Sequence, residues 1–344
     1  MFTNGLKKAI AAACMVGALM SPMAVMASDS PTTAETYTDL QEAGVISNVV
    51  IEDGVVVSFD VEDANAIKDG FQYFNLGDET PTKVFIKDGK YVESVSESAN
   101  FLERMYNTTL DRSYDEVGMD WWLDQMGSEG KAGADVVDGF LGSDEYAKKG
   151  KTNEEILVDF YAAMFDREPD EVGKAYWMAR LDAGMSIDAL VAGFSESEEF
   201  EKVCEKLNVE PGTFKATKWA DQNYERTRFA QGLYQNVLGR GSDEVGLEYW
   251  CEKLGTGMTG SEVAAGFIFS DENAAKELSN EEFVQVLYRT FCAREGEAEG
   301  VAYWVGLLEN GASQKAVFNG FVESAEFVER CAVAQILPGG PIAE

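Results

Sequence analysis

Hydrophobic positions along this chain change period twice, and each change marks a boundary. From Ala9 to Met26 apolar residues run almost unbroken, interrupted only by Ser21 and Pro22, after a start that carries Lys7 and Lys8. A positive start, an apolar middle and Val25-Met26-Ala27 ahead of polar Ser28-Asp29-Ser30 predict a secretory signal over 1–27, cleaved after Ala27. Residues 28–97 follow a different rule. The runs Asn48-Val-Val-Ile-Glu-Asp-Gly-Val-Val-Val-Ser-Phe-Asp60 and Lys83-Val-Phe-Ile-Lys-Asp-Gly-Lys-Tyr-Val-Glu93 are rich in strand formers, and each is broken by an Asp-Gly turn signal. They predict a small β-rich region of two hairpins.

From residue 98 onward the period is helical, and the pattern repeats. Tyr is followed by Arg six residues on, an acid three later, Gly three later and Trp four later; a Gly-Phe pair, a Ser and a Glu then complete the frame. The frame reads Tyr106, Arg112, Asp115, Gly118, Trp122, Gly139-Phe140, Ser143, Glu145; then Tyr161, Arg167, Asp170, Gly173, Trp177, Gly193-Phe194, Ser197, Glu199. It returns as Tyr234, Arg240, Asp243, Gly246, Trp250, Gly266-Phe267, Ser270, Glu272, and as Tyr288, Arg294, Glu297, Gly300, Trp304, Gly320-Phe321, Ser324, Glu326. Chance does not align so many positions four times. The spacing between the second and third Trp is longer than the other two by about eighteen residues, so the copies fall into two pairs separated by an insert.

Each copy reads as helices. Thr152-x-x-Glu155 is a capping box opening a helix whose apolar residues Ile156, Leu157, Phe160, Tyr161, Met164 and Phe165 share a stripe. Asp170 is placed to cap a second helix that carries Gly173, Trp177 and Leu181 on one face. A Gly-Met-Ser186 turn begins a third helix, and Ser195 or Ser197 caps a short fourth. The fold class is therefore mainly α: four tandem small helical-bundle repeats in two pairs, at 98–150, 151–204, 224–278 and 279–331. A linker insert occupies 205–223, and a disordered tail is expected over 332–344.

The run 160–177, Phe-Tyr-Ala-Ala-Met-Phe-Asp-Arg-Glu-Pro-Asp-Glu-Val-Gly-Lys-Ala-Tyr-Trp, with Gly193-Phe194 and Ser197-Glu-Glu-Phe200 after it, resembles the family catalogued as domain of unknown function 4214. The resemblance covers roughly Asn100 to Val328. It implies a repeat of secreted and surface bacterial proteins, with a helical fold similar to that of phycobilisome linker domains, and it brings no established activity. The first copy departs from the pattern with one extra residue before Gly139-Phe140 and with Trp121-Trp122 in place of Tyr-Trp; the fourth has Glu297 for Asp.

Charge narrows the partners. Lys and Arg number 28 against 61 Asp and Glu, a net charge of -33. Phosphate backbones and anionic lipid need basic counter-charges, so nucleic acid is a poor partner. No later stretch has the length and apolarity of a membrane span. The expected protein is secreted, extracellular or held at the cell surface by contacts.

There is no histidine. Histidine triads, histidine metal sites and histidine general bases are excluded, leaving carboxylates, Tyr, Lys and Cys for any chemistry. No cofactor is expected. Four cysteines lie beyond the signal: Cys204, Cys251, Cys292 and Cys331. Even and dispersed in an exported chain, they read as two disulfides. Three pairings are possible; Cys204 with Cys251 and Cys292 with Cys331 is preferred, and related chains imply cysteines at the positions of Cys204 and Cys251.

Three constellations invite a site. The loops Arg112/Asp115, Arg167/Asp170, Arg240/Asp243 and Arg294/Glu297 could hold calcium weakly, but they lack the alternating oxygen ligands of an EF-hand. The reading preferred here is an acid that caps a helix and an Arg that locks the loop. In the Tyr-Trp pairs the Trp belongs to the apolar face, so Trp121, Tyr176, Tyr249 and Tyr303 are the candidate contact aromatics. Neighbouring acids such as Glu198-Glu199 or Asp243-Glu244 could suggest glycosidase chemistry, yet acids are dense here and a catalytic pair would be singular. The expected function is a secreted, non-catalytic interaction module for glycan, envelope polymer or protein; alternatives are a secreted carboxylate-dependent hydrolase and a structural, cation-stabilised array.

Overall fold

The computed structural model describes residues 36–76 and 82–343. The signal expected over 1–27 lies outside the described residues. Helix α1 (Tyr37–Glu42), opened by a Thr36/Asp39 capping box, leads into strands β1 (Ile46–Glu52), β2 (Val55–Val61), β3 (Gly70–Phe74), β4 (Thr82–Lys87) and β5 (Lys90–Val92). The sheet is antiparallel throughout, ordered β1-β2-β5-β4-β3. Both predicted turns form, with Asp53 (φ 52°) and Gly54 (φ 84°) at one and Asp88 (φ 53°) and Gly89 (φ 68°) at the other. Two successive residues of positive φ match the twist of the flanking strands, which is why Asp-Gly serves there. Two hairpins were expected; the structure joins them into one sheet and adds β3 as an edge.

The sheet is not a separate body. Its inner face packs Leu40, Ile46, Phe59, Phe74 and Tyr91 into a small core. On the other face Phe71 and Phe85 meet edge to face at 5.0 Å, and Phe71 meets Tyr114 of the first repeat at 5.7 Å. The Phe85 N–H donates to Ser96 Oγ at 2.9 Å, and β5 runs directly into the first repeat helix.

The four copies build the same helices. Copy one comprises α2 (Glu93–Thr109), α3 (Glu116–Gly127), α4 (Gly133–Leu141) and α5 (Asp144–Ala147); copy two, α6 (Asn153–Phe165), α7 (Glu171–Asp182), α8 (Ile187–Ser195) and α9 (Glu198–Lys206). A short α10 (Trp219–Gln222) precedes copy three: α11 (Tyr224–Leu233), α12 (Glu244–Gly255), α13 (Gly260–Ile268) and α14 (Asp271–Ala274). Copy four comprises α15 (Asn280–Leu287), α16 (Ala298–Glu309), α17 (Gln314–Val322) and α18 (Ala325–Val333). In the last two copies the opening helix ends in a π-helical turn, Tyr234–Leu238 and Tyr288–Cys292.

The four copies stand in two pairs, as the sequence indicated, and each pair shares a core. Buried apolar side chains from Phe85 to Val209 form one continuous core, and those from Ala220 to Ile336 form another. The apolar stripe of an opening helix is covered partly by its own copy, as Phe160 and Tyr161 meet Phe194, and partly by the opening helix of the partner copy, so the pair is the packed unit. The two pairs meet where the buried Asp221 accepts from the Ser186 N–H (2.7 Å) and Oγ–H (2.6 Å).

The expected linker and disordered tail are corrected. After α9, Asn208-Val209-Glu-Pro-Gly212 turns back over the start of α4: the Gly133 N–H donates to the Glu210 carbonyl at 2.7 Å and the Ala134 N–H to that of Pro211 at 3.0 Å. After α18, Gln335-Ile336-Leu-Pro-Gly339 does the same over α13, with the Gly260 N–H bonded to the Leu337 carbonyl at 2.7 Å and the Ser261 N–H to that of Pro338 at 3.0 Å. Val209 and Ile336 are buried in the two cores. Both segments are straps that supply acceptors to the free amides of a helix start. Gly212 and Gly339 hold φ of 67° and 81° there, and a Cβ would stand 2.3 Å from Ala132 Cβ or 2.2 Å from Ser261 Oγ.

Candidate functional site

The recurring loop has the same geometry in every copy. Arg112, Arg167, Arg240 and Arg294 each reach across to the signature Glu at the start of the fourth helix with two parallel hydrogen bonds. The Nε–H donates to Glu145, Glu199, Glu272 and Glu326 at 2.8, 2.6, 2.8 and 3.0 Å, and the second arm bonds at 2.8 to 3.2 Å. The same guanidinium sits over the signature Tyr ring at 4.9 to 5.3 Å and donates to the next backbone carbonyl. A planar fork fits this combination and an ammonium does not. The ion pairs are largely solvent-exposed, so they fix geometry more than they add energy.

Asp115, Asp170 and Asp243 accept from the N–H of Gly118, Gly173 and Gly246 at 2.8, 2.9 and 2.8 Å, an N-cap in each case; Glu297 makes no such side-chain bond. Its longer side chain carries the carboxylate past the amides. The bond from the Gly118 amide, with Arg112 alongside, holds the Asp115 carboxyl below the usual carboxylate range. The signature acid is poorly placed for calcium: in three copies it is already bonded to a helix amide, and in every copy an arginine lies close by. Among the described residues no group of three or more Asp, Glu or Cys is placed to hold a metal ion.

The rest of the signature is packing. The hydroxyls of Tyr106, Tyr161, Tyr234 and Tyr288 fill notches at Gly118, Gly173, Gly246 and Gly300, where a Cβ would stand 2.2 to 2.4 Å away. Each Tyr meets the Phe of its Gly-Phe pair edge to face at 4.8 to 5.1 Å. Trp122, Trp177 and Trp304 lie on Gly139, Gly193 and Gly320, while Trp250 instead hydrogen-bonds the Tyr234 hydroxyl and leaves Gly266 open. Ser143, Ser197, Ser270 and Ser324 cap the fourth helices, accepting at 3.1 to 3.2 Å.

What the fold leaves unused is the outer face of the second helices. Trp121, Tyr176, Tyr249 and Tyr303 occupy equivalent places on α3, α7, α12 and α16, between 45% and 61% exposed, each edge-on to its neighbouring Trp. One turn earlier stand Val117, Val172 and Val245, 80% or more exposed. The frame hid these valines: each directly precedes the signature Gly, and so sits about 100° off the buried face. Two of the aromatics are partly capped by a cation one turn on, Arg180 at 3.2 Å over Tyr176 and Lys253 at 5.1 Å over Tyr249.

The neighbouring acids are also engaged. Glu198 pairs with Lys202 at 2.6 Å and Glu244 with Lys218 at 2.8 Å, while Glu199 and Asp243 serve the loop. Hydrogen bonds from Lys202 and Arg167 lower the pKa of Glu198 and Glu199, the reverse of what a general acid needs.

The four cysteines among the described residues are free thiols, and the expected disulfides are not seen among them. Cys204 lies in the first core and Cys251 in the second. Cys204 and Cys331 occupy matching places in their pairs, with Sγ 3.2 and 3.3 Å from where a Cβ on Gly133 or Gly260 would be, and Cys251 donates to Thr227 Oγ1 at 3.7 Å. Cys292 bonds to Glu326. Burial pushes the Cys251 thiol up to about 11 and those of Cys204, Cys292 and Cys331 up to about 12. They fill space as small hydrophobes.

None of the curated proteins matches the chain. The family model described as Domain of unknown function (DUF4214) matches four times, over residues 85–150, 146–204, 213–277 and 274–331. These matches take in the four loops and second helices just described and most of the chain's length, and the chain therefore belongs to the DUF4214 family.

Proposed function

We propose that the chain is an exported, non-catalytic interaction protein whose contact surface is the outer face of the second helices, with a glycan or envelope polymer as partner. The observation that carries this is the division of labour within each copy. Nearly every signature residue has a part in holding the fold, whereas Trp121, Tyr176, Tyr249 and Tyr303 recur at equivalent positions with about half of each side chain open to solvent beyond its edge contact with the Trp. An aromatic face with a polar tip, backed by an aliphatic side chain, suits the apolar faces and hydroxyls of sugar rings. Four weak contacts on one body act together, so affinity comes from the number of copies engaged. Lys7, Lys8 and the apolar run to Ala27 support export.

The experiment is retention of the purified mature chain on cell-envelope polysaccharide and on a glycan array. Wild-type retention should fall stepwise as Trp121, Tyr176, Tyr249 and Tyr303 are changed to Ala, with melting temperature unchanged. Undiminished retention of the fourfold variant would remove the proposed surface, and capture by an envelope protein in place of polysaccharide would replace the partner.

A further inference from the structure

The two pairs are an internal comparison, and they differ at one buried charge. In the first pair Arg104 of α2, two residues before Tyr106, lies half-buried, and the acid nearest it in effect is Asp166, just before the signature Arg167. In the second pair the corresponding positions are Gly232 and Ala293, and the half-buried arginine arrives from the opposite wall as Arg330 of α18, where the first pair has Val203. The arginine has changed sides and the carboxylate is gone.

Around that position lies an open cleft of about 360 Å³, lined by Arg228, Arg289, Arg294 and Arg330, the amides of Gln235 and Asn236, and one carboxylate, Glu295. Three of the arginines have partners: Arg228 with Glu225 (3.3 Å), Arg289 with Glu295 (3.0 Å), and Arg294 with Glu326. Arg330 donates to the Thr290 carbonyl at 2.5 Å and makes no ion pair among the described residues. After burial, the strongest charge acting on it is that of Arg228, another cation, with Glu225 a lesser, opposing influence. An arginine half-withdrawn from water beside a second arginine calls for an anion. Four arginines together are also unexpected in a chain of net charge -33.

Ala293 strengthens the case from the backbone. It holds a left-handed conformation, φ 54°, as Asp166 does at 56° and Gly239 at 70° in the same place of copies two and three. Glycine and aspartate adopt that conformation readily, whereas alanine does so at a cost. An aspartate there would serve the backbone better and supply the missing charge, but it would also fill the mouth of the cleft.

We propose that this cleft, between α11, the π-turn after α15, and α18, binds a small oxyanion, a phosphate or sulfate group, held chiefly by the guanidinium of Arg330. Planar guanidinium forks and amide N–H groups are the donors such a group requires.

The test is calorimetric titration of the mature chain with inorganic phosphate and, separately, sulfate at constant ionic strength, alongside thermal melting. One site per chain is expected, with melting raised by the oxyanion and not by an equivalent concentration of chloride. Arg330→Gln should weaken binding about tenfold or more. Ala293→Asp should abolish it while leaving the anion-free chain at least as thermally stable as wild type, so that loss of binding is not loss of fold. Equal binding of phosphate and sulfate assigns the site to tetrahedral oxyanions in general, and binding of one alone narrows it to that group. Absence of saturable heat, an equal response to chloride, or unchanged binding in Ala293→Asp would overturn the proposal.

Discussion

Replacing Gly173 by alanine sets two effects of opposite sign against each other. Gly173 lies in the first turn of α7, and a helical Gly→Ala change ordinarily stabilises by about 1 kcal/mol through backbone entropy. Here the new Cβ would stand 2.2 Å from Tyr161 Oη and 3.3 Å from Cζ. The hydroxyl must retreat about 1 Å to reach ordinary contact, and the ring has little freedom to follow. Tyr161 is buried, with Phe165 at 5.5 Å, Phe194 at 5.1 Å and the Arg167 guanidinium at 5.0 Å from it. Overpacking of a held side chain costs about 1–3 kcal/mol, so the expected net loss is up to about 2 kcal/mol, a fall of up to roughly 6 °C in the melting of the first pair. Gly306→Ala in α16, where nothing lies within 4 Å of the new atom, should raise stability by the propensity gain alone. Tyr161→Phe should restore most of the loss in the Gly173→Ala background, because it removes the atom that clashes. A Gly173→Ala chain that melts at or above wild type, or one that Tyr161→Phe does not rescue, would refute the notch.

Asp115→Ala should cost about 1 kcal/mol by denaturant unfolding, equally with and without calcium; a loss confined to calcium-containing buffer would restore the loop as a metal site. Stability should be level near neutrality and fall in acid. Hydrogen bonds from Arg112, Arg167, Arg240 and Arg294 lower the folded-state pKa of Glu145, Glu199, Glu272 and Glu326, so their contribution is present above the unfolded carboxylate pKa and lost as pH drops through the folded one. Asp138 and Asp221, raised by burial, act the other way but are fewer; unfolding of Glu199→Gln that shows the full wild-type acid dependence would contradict the assignment. Thiol titration of the purified chain should find the four cysteines beyond the signal unreactive until denaturant is added, and reductant should leave melting unchanged; any protected pair after denaturation would mean a disulfide.

Local chemistry was legible in the sequence, and long-range closure was not. The Tyr–Arg–acid–Gly–Trp frame could be read because each residue finds its partner within its own copy, Arg167 with Glu199 and Tyr161 with Gly173. The shared cores could not be read from one copy, because the stripe Leu157, Phe160 and Met164 looks the same whether it faces its own bundle or its neighbour. Strand β3 escaped because Gly70-Phe-Gln-Tyr-Phe is short and carries its own weak alternation. Even number and dispersal suggested bridges between the cysteines, whereas Cys204, Cys251 and Cys331 are core side chains of their own pairs and Cys292 packs half-buried against the second core. The straps had a signal of their own: Val209 follows Cys204, and Ile336 follows Cys331, by the same five residues, each ahead of a Pro-Gly.

Those straps decide where the chain can be cut and in what order it can close. The matched family segments stop at Cys204 and at Cys331, and each strap begins after that point. A fragment ended at Cys204 would lose the acceptors of the Gly133 and Ala134 amides and bare the thiol that Val209 helps cover, so it should be less cooperative than one extended past Phe214. In a chain delivered N-terminus first, from a ribosome or through a membrane pore, no pair is finished when its last helix emerges. The latch follows behind, and the first pair snaps shut only once Gly212 is free, before most of the second pair has appeared.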